Sequence, residues 1–274
     1  FTVIVDGISM NTKKLFDLSG KVVIITGAAG NLGSQYAEGL SQVGANVVLG
    51  DLDYVKCKQI SIKLKKKYGV DPLPLKLDLT KKLSVKNFIT KTIKKYSKID
   101  VLINNAAYQG NNKIRKTSFE ELSLHDWNKA IAVNLTGIFL ICQQAGKIMK
   151  KQGTGNIINI SSTYGLVAPD QRIYGNSGQN AGSFYSATKS AVINLTRYLA
   201  SYWANTGIRV NTLSLGGVKK SQTKSFIKNY SEKTMLGRMA QQDEYIGAII
   251  FLASNSSSYM TGSNLIVDGG WTAW

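Results

Sequence analysis

Tyr185 and Lys189 stand four residues apart in "YSATK" (185–189), within the longer run "SFYSATKSAV". On a helix such a pair shares one face, so phenol and ammonium would lie one turn apart. A tyrosine so placed could move a proton. Its free pKa of about 10 is too high for a base at neutral pH, and a neighbouring cation favours the phenolate. The same pair is also what two side-by-side residues on a helix surface look like, and the spacing alone leaves both readings open. Other chemistries have little support. His125 is the single histidine, and the cysteines are two, Cys57 and Cys142. A zinc site, a Ser-His-Asp triad and a disulfide framework are therefore not expected. Both cysteines fall in expected helices and read as free, partly buried thiols.

A second candidate lies near the start. "KVVIIT" (21–26) runs into "TGAAGNLGSQYAEGL" (26–40). A glycine-rich loop between a strand and a helix lets backbone N–H groups and the helix N-terminus face a pyrophosphate. Gly27 permits the tight turn, Gly30 the close approach and Gly33 close helix–strand packing. Asp51 ends the next apolar run, 24 residues after Gly27. A carboxylate there can accept the ribose hydroxyls of adenosine and would repel a 2′-phosphate, so it predicts NAD(H) in preference to NADP(H).

Such residues need a scaffold, and the hydrophobic pattern supplies one. Short β-branched runs at 21–26, 46–51, 73–78, 101–106, 156–161, 209–215 and 264–269 read as buried strands. Amphipathic segments at 33–43, 55–68, 81–97, 124–151, 185–205 and 242–254 read as helices between them. Strict alternation predicts an α/β fold: a doubly wound parallel sheet of about seven strands with helices on both faces. Residues 1–14 are expected to form an N-terminal extension, with Met10 as a natural start, and 15–274 a single Rossmann-type domain.

Taken in order, these motifs resemble the short-chain dehydrogenase/reductase family from about residue 15 to 274. The family's T-G-x-x-x-G-x-G loop is matched at Thr26, Gly27 and Gly33, with Asn31 where the middle glycine is usual. "LDLT" (77–80) resembles its adenine-binding pair, giving Asp78 and Leu79. "NNAA" (104–107) resembles its N-N-A-G segment, giving Asn105, Ala106 and Ala107, with Ala107 in place of glycine. "VNLTG" (133–137) supplies its asparagine at Asn134, and "NISSTYG" (159–165) its serine at Ser162. "LSLGGV" (213–218) resembles the segment beside the nicotinamide, giving Gly216 and Val218, with Leu215 in place of proline; Lys220 stands where threonine is frequent. The resemblance also adds Leu32 and Leu52 to the dinucleotide contacts.

What the resemblance implies is a secondary alcohol–ketone oxidoreductase. Tyr185 would be the general acid/base, Ser162 would hold the reacting oxygen, Lys189 would bind the nicotinamide ribose and tune Tyr185, and Asn134 would order a water next to Lys189. Tyr174 competes for the tyrosine role, 12 residues after Ser162 against 23 for Tyr185, but position 178 is glycine and gives it no lysine partner. "APDQRIYGNSGQN" (168–180) therefore reads as an insertion within a substrate loop at 163–184. Either its Arg172 and Tyr174 contact substrate, or the loop covers the cleft or packs on a neighbouring subunit. A second substrate loop is expected at 216–241, and "EKTMLGRMAQQDE" (232–244) resembles the family's mobile lid. Trp127 is expected in the core, and Trp271 and Trp274 at an interface between subunits.

The chain has 274 residues, 43% hydrophobic and 18% charged, so it can bury a sizeable core. No stretch approaches about 18 uninterrupted apolar residues and no signal-peptide pattern opens the chain, so no membrane span and a cytoplasmic location are expected. The net charge is +18, from 34 Lys+Arg against 16 Asp+Glu. The lysines cluster in stretches such as "KLKKKYG" (63–69), which read as solvated helix faces that steer anionic small molecules rather than as a nucleic-acid surface. "YGLVAPDQRIYG" and the ending "YMTGSNLIVDGGWTAW" resemble oxidoreductases of bacterial surface-sugar and flagellin-modification pathways. That implies a small-molecule substrate of sugar or nucleotide-sugar type and a homotetramer or homodimer. A polyol or gluconate dehydrogenase, or a dinucleotide-binding protein without catalysis, are the rival readings.

Overall fold

Seven β-branched runs form one parallel sheet: β1 (Val22–Thr26), β2 (Asn46–Asp51), β3 (Leu73–Lys76), β4 (Val101–Asn104), β5 (Gly155–Ser162), β6 (Ile208–Leu215) and β7 (Asn264–Val267), in the order β3-β2-β1-β4-β5-β6-β7. The computed structural model describes residues 11–274; the expected start at Met10 and the residues before it lie outside the described part. Nine α-helices accompany the strands among the described residues: α1 (Thr12–Leu15), α2 (Asn31–Gln42), α3 (Tyr54–Tyr68), α4 (Lys82–Tyr96), α5 (Leu124–Ile131), α6 (Gly137–Gln152), α7 (Ser183–Tyr202), α8 (Lys224–Ser231) and α9 (Ile246–Ala253).

The central strands are buried on both faces, which is why β1 reads Val-Val-Ile-Ile-Thr without polar alternation. Tyr36 and Leu40 of α2, Cys57 and Leu64 of α3 and Ile249 of α9 share one core layer with Val23, Ile25 and Leu49. Phe88 of α4, Ile141 and Met149 of α6 and Val192 of α7 share the other with Ile24, Leu102 and Ile157. The run Leu124–Gln152 is long and apolar enough to cross a membrane by length and composition. Its inward side chains, Ile138, Ile141, Cys142, Ala145 and Met149, are instead packed in that second layer.

Local sequence sets the boundaries. Asp53 caps α3 by accepting the Lys56 N–H at 2.9 Å, and Gly69, at φ 68°, ends it. Thr223 caps α8 through the Phe226 N–H at 3.2 Å. The strand order reverses between β1 and β4, so a crevice opens outside the carboxyl ends of these two strands.

Candidate active site

The loop after β1 is shaped for something that approaches its backbone. Gly27 has φ 67°, and a Cβ there would lie 2.8 Å from the Ala106 Cα; one at Gly33 would lie 2.2 Å from the Gly27 carbonyl oxygen. Gly30 is the residue before α2 and offers no side-chain cap, so the N–H groups of Asn31, Leu32 and Gly33 have no intrahelical partner. The Asn31 Nδ2 is buried without a partner among the described residues. Asp51, at the end of β2, accepts the Ala29 N–H at 3.0 Å and the Asp53 N–H at 3.0 Å, so its carboxylate is fixed against the glycine loop. Leu52 beside it is exposed.

The β4 exit is tied to the same loop. Thr26 Oγ1 accepts the N–H groups of Asn105 and Ala106, both at 3.1 Å, and Asn105 Nδ2 donates to the carbonyls of Thr26 at 3.0 Å and Gly27 at 3.2 Å. Ala107 follows in the same turn. Asp78 closes the turn after β3 by accepting the Thr80 N–H and hydroxyl at 3.0 and 2.6 Å. The Leu79 side chain is buried against Gly137 of α6, so it shapes the wall from behind. At the other flank Gly216 packs on the Asp268 backbone and Val218 bridges to Ala240.

The four predicted catalytic residues converge across β5, α7 and the turn between α5 and α6. Ser162 is the last residue of β5; its hydroxyl accepts the Tyr164 N–H at 3.2 Å and acts to lower the pKa of the Tyr185 phenol. Tyr185 and Lys189 lie one turn apart in α7, with Lys189 Nζ 5.6 Å from the Tyr185 ring centre. Lys189 is buried and donates to the Ile160 carbonyl at 2.7 Å. Ser161 Oγ donates to the Lys189 carbonyl at 2.8 Å, and Gly165 leaves no room for a Cβ against that carbonyl, so α7 is pressed onto the end of β5. Asn134 sits in a π-helical turn, Ala132–Thr136, that interrupts the α5–α6 run; such turns are frequent at functional sites. Its Oδ1 accepts the Tyr108 N–H at 2.6 Å, and its Nδ2 donates to the Tyr108 carbonyl at 3.0 Å and to Thr188 Oγ1 at 3.3 Å. The side chain thus clamps the segment after β4 onto α7.

Burial dominates the electrostatics. Loss of hydration lowers the Lys189 ammonium to about 8. It also raises the Tyr185 phenol above its ordinary value, opposed by the nearby polar side chains of Ser162 and Gln109. Burial therefore favours the protonated Tyr185 phenol, against the phenolate that its lysine neighbour alone would favour.

The substrate loops depart from expectation. Tyr174 is buried, in an aromatic cluster with Phe226 and Tyr230 of α8 and Trp271; its ring centre is 5.3 Å from Phe226. Arg172 is held by Asp170 through two hydrogen bonds of 2.8 Å, and Lys233 reaches the same carboxylate at 2.9 Å. The insertion is therefore fastened to the lid segment, with Tyr174 buried in that packing and Arg172 paired at the exposed surface. Trp271 stacks on Tyr230 at 4.3 Å inside its own chain, where an intersubunit contact was expected, whereas Trp274 is exposed. Trp127 is half-buried beside Ile114 and Phe184, outside the two main core layers. His125 is exposed and both cysteines are free and buried. Sequence reasoning missed Gln109, in the turn after β4, which acts to lower the pKa of the Tyr185 phenol, and Tyr230, whose hydroxyl accepts the Gly217 N–H at 2.5 Å. Position at a strand's carboxyl end was the available signal for Gln109; nothing local marked Tyr230.

A family profile described as "Enoyl-(Acyl carrier protein) reductase" matches residues 27–272. The chain is 32% identical over 254 residues to post-translational flagellin modification protein A of Campylobacter coli, covering 93% of this chain and 99% of that protein. It is 34% identical over 257 residues to a 7alpha-hydroxysteroid dehydrogenase of Bacteroides fragilis, covering 92% and 94%. A short-chain type dehydrogenase/reductase from Mycobacterium marinum superposes with a TM-score of 0.86 at 30% identity, covering 97% and 100%. A gluconate 5-dehydrogenase from Burkholderia cenocepacia, solved with NADP and tartrate, superposes with a TM-score of 0.87 at 30% identity, covering 96% and 100%.

Proposed function

The chain belongs to the short-chain dehydrogenase/reductase family, and from that premise we propose that it is an NAD(H)-dependent oxidoreductase interconverting a secondary alcohol and a ketone. The observation that carries the reading is the meeting of Ser162, Tyr185 and Lys189 beside a glycine cradle that side chains would fill. The cradle suits a dinucleotide: unpaired N–H groups at Asn31–Gly33 and the unpartnered Asn31 amide can donate to a pyrophosphate. Gly27, Gly30, Asn31, Leu32 and Gly33 would hold the phosphates, Asp51 and Leu52 the adenosine ribose, Asp78 and Leu79 the adenine, and Asn105, Ala106, Ala107, Gly216 and Val218 the nicotinamide half. When bound, that group supplies the hydride acceptor or donor.

The protein's own part is proton transfer and positioning. In reduction Tyr185, protonated in its dry setting, gives its proton to the developing alkoxide; in oxidation it takes the alcohol proton. Ser162 donates to the reacting oxygen and holds it near the phenol. Lys189 supplies positive charge beneath Tyr185, and Asn134 keeps α7 in register with the segment after β4.

The preference for NAD(H) rests on Asp51, whose fixed carboxylate would repel a 2′-phosphate. The likeness to a flagellin modification protein, together with the surplus of lysine, supports a sugar or nucleotide-sugar substrate in surface-glycan synthesis. The gluconate 5-dehydrogenase neighbour supports a polyol or sugar-acid substrate as the second reading. A cytoplasmic homotetramer or homodimer is part of the same proposal. The test is NADH formation across nucleotide-sugars, sugar acids and polyols. Turnover of a nucleotide-sugar supports the first reading and turnover of gluconate or a polyol the second. Absence of any turnover, with NADH binding retained, would favour a dinucleotide-binding protein without catalysis.

A further inference from the structure

The segment after β4 carries cations that the proton-transfer chemistry leaves unused. Residues 111–118, "NNKIRKTS", hold Lys113, Arg115 and Lys116 and no carboxylate. The fold sets this segment against the catalytic helix. Ile114 is buried with Phe184 of α7, and Tyr108 and Tyr185 pack against the same small cluster. A Cβ at Gly110 would lie 3.1 Å from Ile114 Cγ2 and 3.3 Å from Phe184 Cζ, so the turn is pressed onto α7. With Ile114 turned inward, its neighbours are left at the surface of this wall. Lys113 and Lys116 are exposed and Arg115 is half-buried.

The turn is fastened from two sides. Asn111 accepts the Ile114 N–H on Oδ1 and the Arg115 N–H on its carbonyl, both at 3.0 Å. From the insertion, Asn180 donates its N–H to the Arg115 carbonyl at 2.8 Å and its Nδ2 to the Thr117 carbonyl at 2.7 Å. Lys129 of α5 adds a fourth cation, 4.9 Å from the centre of the Tyr108 ring. None of these four cations is ion-paired among the described residues. By contrast, in the insertion and the lid Arg172 and Lys233 share Asp170, and Arg238 is held by Glu244.

A loose, solvated loop would account for surface lysines. It does not account for three like charges fastened within four residues, where their repulsion opposes the turn. An anion placed among them offsets that repulsion. β4 and β5 run parallel and end at one edge of the sheet, so the turn lies on the side of the cleft where Ser162 and Tyr185 stand. A molecule that reaches both the turn and Tyr185 is a substrate carrying an oxyanion several bonds from its reacting carbon. Arg115 offers a planar fork to two oxygens of a carboxylate or phosphate, and the lysines add point charges around it.

We infer that the turn at 113–116 is an anion subsite of the substrate cleft, in which Arg115, Lys113 and Lys116 hold a carboxylate or diphosphate group while Tyr185 faces the reacting carbinol. The subsite presupposes the oxidoreductase reading, whose substrate it restricts to an anion. The test is calorimetric titration of the NADH-saturated protein with UDP and with D-gluconate, each beside its less charged counterpart, uridine and D-glucitol. UDP carries the diphosphate of a nucleotide-sugar and gluconate the carboxylate of a sugar acid, so the two arms separate the sources. Two triple variants accompany the wild type: K113Q/R115Q/K116Q, and K63Q/K65Q/K66Q on α3, which removes the same charge away from the cleft. NADH affinity and thermal unfolding check that both are folded.

At least one anion should bind about tenfold or more tightly than its counterpart and lose about 10- to 100-fold in the turn variant, as expected for charge-assisted hydrogen bonds. The α3 variant should lose less than about threefold, because charges beyond a Debye length are screened. Arg115→Lys, which keeps the charge without the fork, should lose less than Arg115→Gln. Binding of neither anion above its counterpart would overturn the inference. Equal weakening in the two triple variants would also overturn it, because binding would then follow net charge and not the turn. A wild type that holds UDP or gluconate on this turn but reduces no ketone with NADH would keep the anion site and overturn the oxidoreductase reading instead.

Discussion

Replacing Lys189 with methionine should stabilise the protein while it disables the site. Lys189 is 3% exposed and its one polar contact is the Ile160 carbonyl at 2.7 Å. Burial depresses its ammonium from 10.5 to about 8. At about 1.4 kcal/mol per pH unit, holding that charge costs the folded state about 3 kcal/mol at neutral pH. Methionine keeps the apolar stem and removes the charge, at the loss of a hydrogen bond to Ile160 that offsets about 1 kcal/mol. The variant should therefore be more stable than the wild type by about 2 kcal/mol at pH 7.

The pH dependence separates this cause from simple repacking. Below pH 8 lysine is protonated in both folded and unfolded chains, so the penalty is full and constant. Between about 8 and 10.5 the folded chain has released a proton that the unfolded chain still holds, so wild-type stability rises with pH. The methionine variant lacks that rise, and groups common to both proteins cancel in the difference. Urea unfolding of both at intervals from pH 7 to pH 10 should show the gap closing completely and reversing slightly, because the wild type gains about 2–3 kcal/mol over that range and, once neutral, keeps the hydrogen bond to Ile160 that methionine lacks. A gap that stays constant over that range would refute the reasoning.

Three further outcomes are expected. Asp51→Ala should weaken NADH about 10- to 100-fold, the cost of charged hydrogen bonds to the ribose, and narrow the preference over NADPH; fluorescence titration of both nucleotides checks it. Gly33→Ala sets a Cβ 2.2 Å from the Gly27 carbonyl and should destabilise by about 1–3 kcal/mol through overpacking, as well as lowering dinucleotide affinity, seen in thermal unfolding with and without NADH. Asp170→Asn releases the exposed Arg172 and the partly exposed Lys233 from a carboxylate that is itself 18% exposed and should cost about 1 kcal/mol of stability, while raising KM several-fold with kcat little changed, because the insertion is no longer fastened to the lid.

Much of the scaffold was legible in the chain. The strand at 46–51 falls where the alternation of apolar runs put it, and β1, β5 and β6 differ by one residue at their first or last positions. Buried parallel strands announce themselves as uninterrupted apolar runs, and this needs no tertiary information. The run expected to end at Asp78 stops at Lys76, because Asp78 turns back to its own Thr80. The helix expected over 124–151 is broken by the turn at Ala132–Thr136, which has no signature in hydrophobic periodicity, so the way Asn134 is presented was not readable. Helix α8 was absent from the reading: "KSFIKNYS" is short, and its apolar side meets Tyr174 and Trp271, distant in sequence. The same long-range packing buried Tyr174, a residue whose sequence position left substrate contact and a covering loop both open. Tyr185 and Lys189 were legible as a pair, but the direction of their titration was not, since burial outweighs their mutual influence.

The most direct test of the central claim is single-turnover hydride transfer by Tyr185→Phe beside the wild type, with NADH binding measured on both. The phenylalanine keeps the ring and removes the one group assigned to move the proton. Retained NADH affinity with a loss of about 10²–10⁴ in the rate of the chemical step is the predicted result. Hydride transfer at the wild-type rate, with the cofactor bound equally well, would contradict the assignment of Tyr185 and with it the mechanism built on Ser162 and Lys189.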